Sequence, residues 1–312
     1  MKILLSAFFL LFAALDIQSQ SLYIKTFGRS TDKPVIYLHG GPGYNCVNFE
    51  ATTAQLLANQ GFFVIVYDRR GEGRSIDPSA KFTFQQTFDD LNEILKTYQI
   101  KKCHLIGHSF GGIVATLYAE AFPDKIQSIF LVGAPVSLQT SFKHIRATCM
   151  KIYQDKNDSI NLKYIHMLAK MDTNSLEYSS YCFMHAMQNG FYTPKNPTPA
   201  AKVVYSRFKT DTLLTKHAAK MTYEGPQGFW KNEHYTTIDL TEKLKGLIRD
   251  QIKIYGLYGK EDGLYAAQQI NDLQKIIGLQ NLKYFDNCSH NVFVDQQEDF
   301  LKTMIDWTPG RK

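Results

Sequence analysis

The segment Gly107-His108-Ser109-Phe110-Gly111-Gly112 constrains this chain more than any other, because of what stands on either side of it. Ahead of it, Cys103-His104-Leu105-Ile106 is a short apolar run of the length of a buried strand. Behind it, Ile113-Val114-Ala115-Thr116-Leu117-Tyr118-Ala119 reads as a helix. The chain must reverse between the two within a few residues. Glycines at 107, 111 and 112 remove the Cβ atoms that would obstruct so tight a turn, leaving Ser109 at its apex. The pattern predicts a nucleophile mounted between a strand and a helix.

A serine hydroxyl is a weak nucleophile unless a histidine takes its proton and a carboxylate orients that histidine. Backbone N–H groups must also face the oxyanion that forms on the substrate. The turn resembles the nucleophile turn of the α/β-hydrolases, in which the acid follows the serine in the chain and the histidine comes last. Residues 251–259 alternate apolar side chains like a strand, and Lys260-Glu261-Asp262-Gly263 follows as a loop. Asp262 is preferred to Glu261 because it stands beside Gly263 at the turn; its alternative reading is a cap for a helix beginning near Leu264. Leu282-Lys283-Tyr284-Phe285 reads as the last strand, and the polar loop after it carries His290. Of the other histidines, His39 and His108 sit within glycine motifs, His104 lies in a strand, and the rest fall between residues 144 and 234. Position and order select His290. Finally, the apolar run Pro34-Val35-Ile36-Tyr37-Leu38 ends in His39-Gly40-Gly41-Pro42-Gly43, a rigid loop whose amides can approach a carbonyl closely. In the fold so resembled, one oxyanion donor is the N–H of the residue after the nucleophile, which implies Phe110, and the other comes from this loop, which implies Gly41.

Three segments together resemble the proline iminopeptidase-like serine peptidases of the α/β-hydrolase superfamily. These are His39-Gly40-Gly41-Pro42-Gly43, Asp68-Arg69-Arg70-Gly71-Glu72-Gly73-Arg74-Ser75 and Gly107-His108-Ser109-Phe110-Gly111-Gly112, in that order, with Asp262 and His290 completing the set. The resemblance covers roughly residues 22–135 and 246–307. It implies an α/β fold with a mostly parallel eight-stranded sheet flanked by helices, and an inserted helical cap. It also implies acyl transfer to water through an acyl-enzyme on Ser109, with no cofactor and no metal. Asp68 and Arg69 are expected to brace the loops around the site.

Composition agrees with such a fold. A chain of 312 residues exceeds the usual single core, and 44% hydrophobic with 21% charged residues is ordinary for a globular protein. The +6 charge is spread along the chain without a dense basic cluster, so no nucleic-acid partner is expected. Strand–helix alternation stops after Pro135 and resumes near Lys245. Helix-like stretches replace it at 142–153, 161–170, 176–188 and 200–217. The domains expected are thus a core of residues 21–135 and 246–312 and a helical cap of 136–245. The cap's aromatics and methionines, including Tyr178, Tyr181, Phe183, Met184, Met187, Phe191 and Tyr192, either line a substrate pocket or form the cap's own core.

In the family resembled, cap carboxylates select a free N-terminal amine, usually on proline. Glu177, Glu224 and Glu233 are the candidates here, with solvated surface charge as the alternative. An aminopeptidase acting on small peptides is the expectation. Phe110 stands where iminopeptidases often carry tryptophan or tyrosine, so a hydrolase of small esters, thioesters or lactones also fits. A hydrolase-fold receptor without turnover is the reading from another class.

Lys2 followed by an apolar stretch at residues 3–15 and small or polar residues near Ser19 to Ser21 reads as a signal peptide spanning residues 1–20. Export to a periplasm or the exterior is expected, with no stable membrane association after cleavage; an uncleaved anchor is the alternative. Five cysteines allow two disulfides at most. Cys149 and Cys182 are the pair suggested within the insertion, against five free thiols. Oligomeric state is left open.

Overall fold

Side chains of the first long strand already show how the sheet is buried. Val35 and Tyr37 enter one apolar layer while Ile36 and Leu38 enter the other, as a two-residue period requires. A computed structural model describes residues 22–309. The expected signal peptide, residues 1–20, lies outside the described residues. The strands are β1 (Ile24–Phe27), β2 (Lys33–Leu38), β3 (Phe62–Tyr67), β4 (Cys103–His108), β5 (Ile126–Val132), β6 (Lys253–Gly259) and β7 (Leu282–Phe285). They form one sheet in the order β1-β3-β2-β4-β5-β6-β7, with β1 antiparallel to β3 and every other pair parallel.

Seven strands stand where eight were expected. β3 is buried along its whole length, Phe62-Phe63-Val64-Ile65-Val66-Tyr67, because helices cover both faces of a parallel sheet.

Strand order reverses between β2 and β4, which are neighbours. In an open α/β sheet this switch point, beyond the carboxyl ends of the strands, is where ligands bind. Register makes the consequence specific. Leu38 pairs with Gly107, Gly107 with Leu131, and Val132 with Leu257. Loops leaving β2, β4, β5 and β6 therefore emerge side by side.

Between β5 and β6 the chain is helical. Helices Leu138–Asp155, Ser159–Leu168, Leu176–Gln188, Pro199–Arg207, Thr212–His217, Glu224–Glu233 and Thr241–Arg249 follow one another. Capping side chains set several of the starts: Asp158 accepts from Asn161 N–H, Ser175 from Tyr178 N–H and Thr198 from Ala201 N–H. The stretch expected as one helix over 200–217 is two, because Asp211 accepts from the N–H groups of Leu213 and Leu214 and starts a new helix. The helices at Glu224–Glu233 and Thr241–Arg249 were not foreseen.

Candidate active site

Ser109 sits between β4 and the helix Phe110–Ala121 with φ +53° and ψ −124°. A non-glycine residue held there stores roughly 1–3 kcal/mol of strain, so the turn's unusual backbone falls on the serine itself. Its glycine neighbours serve close approach instead. A Cβ on Gly111 would lie 2.0 Å from the Leu38 carbonyl oxygen, and one on Gly107 would lie 2.6 Å from the Gly111 carbonyl oxygen. The turn is fixed by Ser109 N–H donating to Val132 O at 3.0 Å and Gly112 N–H donating to Ser109 O at 2.8 Å. Ser109 is partly rather than fully exposed.

Asp262 and His290 are brought together from loops after β6 and β7. His290 Nδ1 lies 2.9 Å from Asp262 Oδ2, and both residues are buried. Asp262 Oδ1 accepts from Leu264 N–H at 3.1 Å, so one oxygen steadies its turn while the other meets the imidazole. Glu261 points elsewhere; its carboxylate accepts from Lys195 N–H of the insertion. Gly133, just past β5, lets this pair approach the end of that strand: a Cβ there would meet His290 O at 2.9 Å and His290 Nδ1 at 3.2 Å. No hydrogen bond joins Ser109 Oγ to His290 Nε2 among the described residues; Asp262 is the partner on the imidazole.

Neighbouring groups fix the imidazole further. Tyr192 of the insertion meets its ring edge-on at a centroid distance of 5.1 Å. The Phe191 carbonyl accepts from both Gly263 N–H and Ser289 Oγ–H, tying the insertion to the acid and base loops together. Tyr265 donates its hydroxyl to Gly133 O at 2.7 Å. Sequence reasoning assigned no role to Tyr265. Its place three residues beyond Asp262 was the available signal.

The other motif histidines are structural in their contacts. Burial pushes His39 and His108 well below the ordinary imidazole range, which keeps both rings neutral. His108 Nε2 contacts His290 O at 3.2 Å. His104 pairs with Ser128 Oγ at 2.7 Å, and burial pulls its pKa down to about 4.

Gly41, Ser109 and Phe110 open onto a small cavity lined by Ile113, Pro135, Leu138, Ser141, Phe183, Tyr235, Leu264 and Tyr265. Its free volume of about 20 Å³ is roughly enough for one water. Neither the Gly41 nor the Phe110 N–H is used in a backbone hydrogen bond among the described residues. Phe110 begins a helix, so its amide has no partner within it. Leu138, Ser141, Phe183 and Tyr235 come from the insertion, which closes the cavity from above.

The insertion's carboxylates lie outside this lining. Glu177 and Glu224 are exposed, and Glu233 Oε1 accepts from Phe84 N–H at 2.7 Å, capping a core helix. Of the insertion's aromatics and methionines, Phe183 lines the cavity, Tyr178 and Phe191 are buried in the core, and Tyr181 and Met187 are exposed. All five cysteines are buried and free, so Cys149 and Cys182 are unpaired. Among the described residues, no cluster of three or more His, Cys, Asp or Glu side chains is arranged for a metal. No helix among them is long and apolar enough to cross a membrane.

The segment after β3 braces the site. Asp68 Oδ1 accepts from Cys46 N–H and Asp68 Oδ2 from Arg74, while Arg69 reaches the carbonyls of His39 and Gly40.

Residues 33–297 match the family model described as the alpha/beta hydrolase fold. A proline iminopeptidase of Lactobacillus delbrueckii subsp. bulgaricus is 25% identical over 293 residues, covering 91% of this chain and 93% of the relative. Among solved structures, a proline iminopeptidase-related protein from Thermus thermophilus superposes with a TM-score of 0.64 at 20% identity, covering 91% of this chain and 92% of that one. A structure from work on carboxylesterases of the thaumarchaeon Nitrososphaera gargenis gives 0.59 at 19% identity, covering 93% and 95%.

Proposed function

Since the chain belongs to the α/β-hydrolase family, we propose that it is a serine hydrolase in which Ser109, His290 and Asp262 form the catalytic relay. The observation that carries this reading is the 2.9 Å contact of His290 Nδ1 with Asp262 Oδ2, beside a serine held at a strained strand–helix turn. Ser109 Oγ attacks the substrate carbonyl as His290 Nε2 takes its proton. The oxyanion is received by the N–H groups of Gly41 and Phe110. Collapse of the adduct breaks the bond to the leaving group, which takes the proton from His290. Water, deprotonated by the same imidazole, then releases the acid and restores Ser109. Catalytic hydrogen bonds often tighten only when substrate is bound, and the Ser109–His290 link is of this kind.

Cavity chemistry favours a small, uncharged acyl group. An ammonium leaving water needs a nearby opposite charge, and no carboxylate lines the space beside Ser109. Hydrolysis of small acyl esters is therefore the reading that the geometry supports best. The aminopeptidase reading draws on the proline iminopeptidases that resemble this chain over most of its length.

A panel of Pro- and Ala-amides against acyl esters of increasing length separates the two. Ester turnover that falls as the acyl chain lengthens supports the first; amide turnover that requires a free amino terminus overturns it in favour of the second. A fluorophosphonate probe tests the relay itself. Labelling lost in Ser109→Ala supports it, and a folded wild type that is not labelled points to the receptor reading. We also propose export of the chain, on the basic-then-apolar pattern of residues 2–15; an intact amino terminus on cytoplasmic material from the native host overturns that.

A further inference from the structure

We propose that Arg69 is a positioning residue that sets the oxyanion donor at Gly41 through the carbonyl of Gly40. The inference rests on the acyl-transfer reading above. The carbonyl of Gly40 and the N–H of Gly41 belong to one planar trans peptide and point in opposite directions. Fixing the oxygen therefore fixes where the N–H points. Arg69 Nη2 donates to Gly40 O at 2.7 Å, and Nη1 donates to His39 O at 2.5 Å. His39 Nδ1 lies 2.8 Å from the same Gly40 oxygen, and His39 Nε2 accepts from Arg69 N–H at 3.0 Å. Two residues thus hold one peptide from behind. The bond from Arg69 carries a full positive charge, which strengthens it and polarises the peptide so that its N–H becomes the better donor.

Arg69 also reaches the second arm of the site, since its guanidinium carbon lies 5.1 Å from the centroid of the Phe110 ring. Glu72 anchors it from the other side, with Nη2 to Oε2 at 2.6 Å. Both side chains are buried to within 2% of full enclosure.

A simple core ion pair explains this arrangement poorly. Desolvation largely offsets the attraction within a buried pair, and Arg69 Nε and Glu72 Oε1 have no hydrogen-bond partner among the described residues. What the pair does achieve is the orientation of the loop at residues 39–41. A lysine or an uncharged side chain at 69 cannot hold two successive carbonyls in the same way.

The test uses Arg69→Met, Arg69→Lys and Glu72→Gln in the full chain, with a short-chain p-nitrophenyl ester and a trifluoromethyl ketone that forms a tetrahedral oxyanion on serine. Removing an oxyanion donor outright costs roughly 100–1,000-fold, and displacing one is expected to cost Arg69→Met about 10–100-fold in kcat. KM should change by less than about threefold, and ketone affinity should fall in parallel with kcat. Arg69→Lys should recover part of the loss, and Glu72→Gln should show a smaller one. Wild-type kcat and ketone affinity in a cooperatively melting Arg69→Met overturn the proposal. If that variant does not fold, unchanged kcat in both Arg69→Lys and Glu72→Gln overturns it instead. A wild type whose Ser109 labels with fluorophosphonate, while folded Arg69→Met labels equally fast, sinks only this inference. A wild type that neither labels nor turns over any ester sinks the acyl-transfer reading with it.

Discussion

The strand-end loops and the helical insertion face each other across one small cavity, yet they are built on different principles. On the sheet side strand register and backbone contacts set the loops, and side-chain bonds such as that of His290 to Asp262 complete them. Ser109 is tied to Val132, Gly111 packs against the Leu38 carbonyl and Gly133 against His290. On the insertion side the cavity is lined by Leu138, Ser141, Phe183 and Tyr235. The insertion also leaves large apolar groups in solvent, including Tyr223 at 84% exposure and Ile160 at 68%. Under the proposed reading, chemistry would rest on rigid register and selectivity on packing that tolerates change.

The sharpest way to break this contrast is at Ser109. Ser109→Ala should lower ester turnover by roughly 10,000-fold or more while the melting temperature stays near wild type or rises, since alanine removes no cap hydrogen bond there. Activity retained in that variant would deny the sheet side its chemical role.

Asp295 joins the two regions. Its carboxylate accepts from Ser289 N–H at 2.8 Å on the base loop and from the Tyr205 hydroxyl at 2.5 Å on the insertion. Burial raises its pKa to about 6, against the lowering effect of the Tyr205 hydrogen bond. The folded value lies above the unfolded one, so the native state holds the proton more tightly. Stability from this group therefore falls as pH rises from about 4 to about 6, by at most about 3 kcal/mol, and stays level above that window. Asp295→Asn changes the hydrogen bonds at every pH but removes the titration. Melting temperatures measured from pH 4 to 7 should show the difference between the two proteins moving in favour of the variant as pH rises. A constant difference would mean that the tie does not titrate.

Phe183→Ala acts on the insertion side alone. Enlarging the cavity should shift the preferred acyl chain by one or more methylenes, each worth roughly 10-fold or more in kcat/KM. Profiles of acyl length that coincide with wild type would show that the insertion does not set selectivity. Glu233→Gln should have the smallest effect. It weakens a cap on the helix Phe84–Thr97 and should cost about 1 kcal/mol in denaturation. The ratio of amide to ester turnover should not move. A selective loss of amide turnover would return Glu233 to the site as an amine-binding group.

The sheet side was legible because tight backbone packing leaves its mark on composition. Gly111 and Gly112 mark places where another chain segment passes at contact distance, Gly107 one where the turn folds back on itself, and each stands beside a short apolar run. The order of Ser109, Asp262 and His290 could be read for the same reason, since each lies within a few residues after a strand ends. Among the described residues the sheet has seven strands where eight were expected. In the insertion, Leu176–Gln188 has the expected limits, whereas the cap at Asp211 that splits 200–217 into two helices was not read. Glu224–Glu233 escaped notice; its N-cap position is Tyr223, which gives no side-chain capping bond.

By itself the sequence determined the α/β class, the loops that hold the candidate groups and their order, because local turn geometry and strand burial are written in neighbouring residues. Only the tertiary structure decided which residues close the cavity and which charges stay out of it. Tyr192 over His290, Tyr235 beside Phe110 and Glu233 on Phe84 join segments far apart in the chain. Such contacts follow from how helices pack, and packing depends on shape and volume over the whole interface rather than on any short pattern.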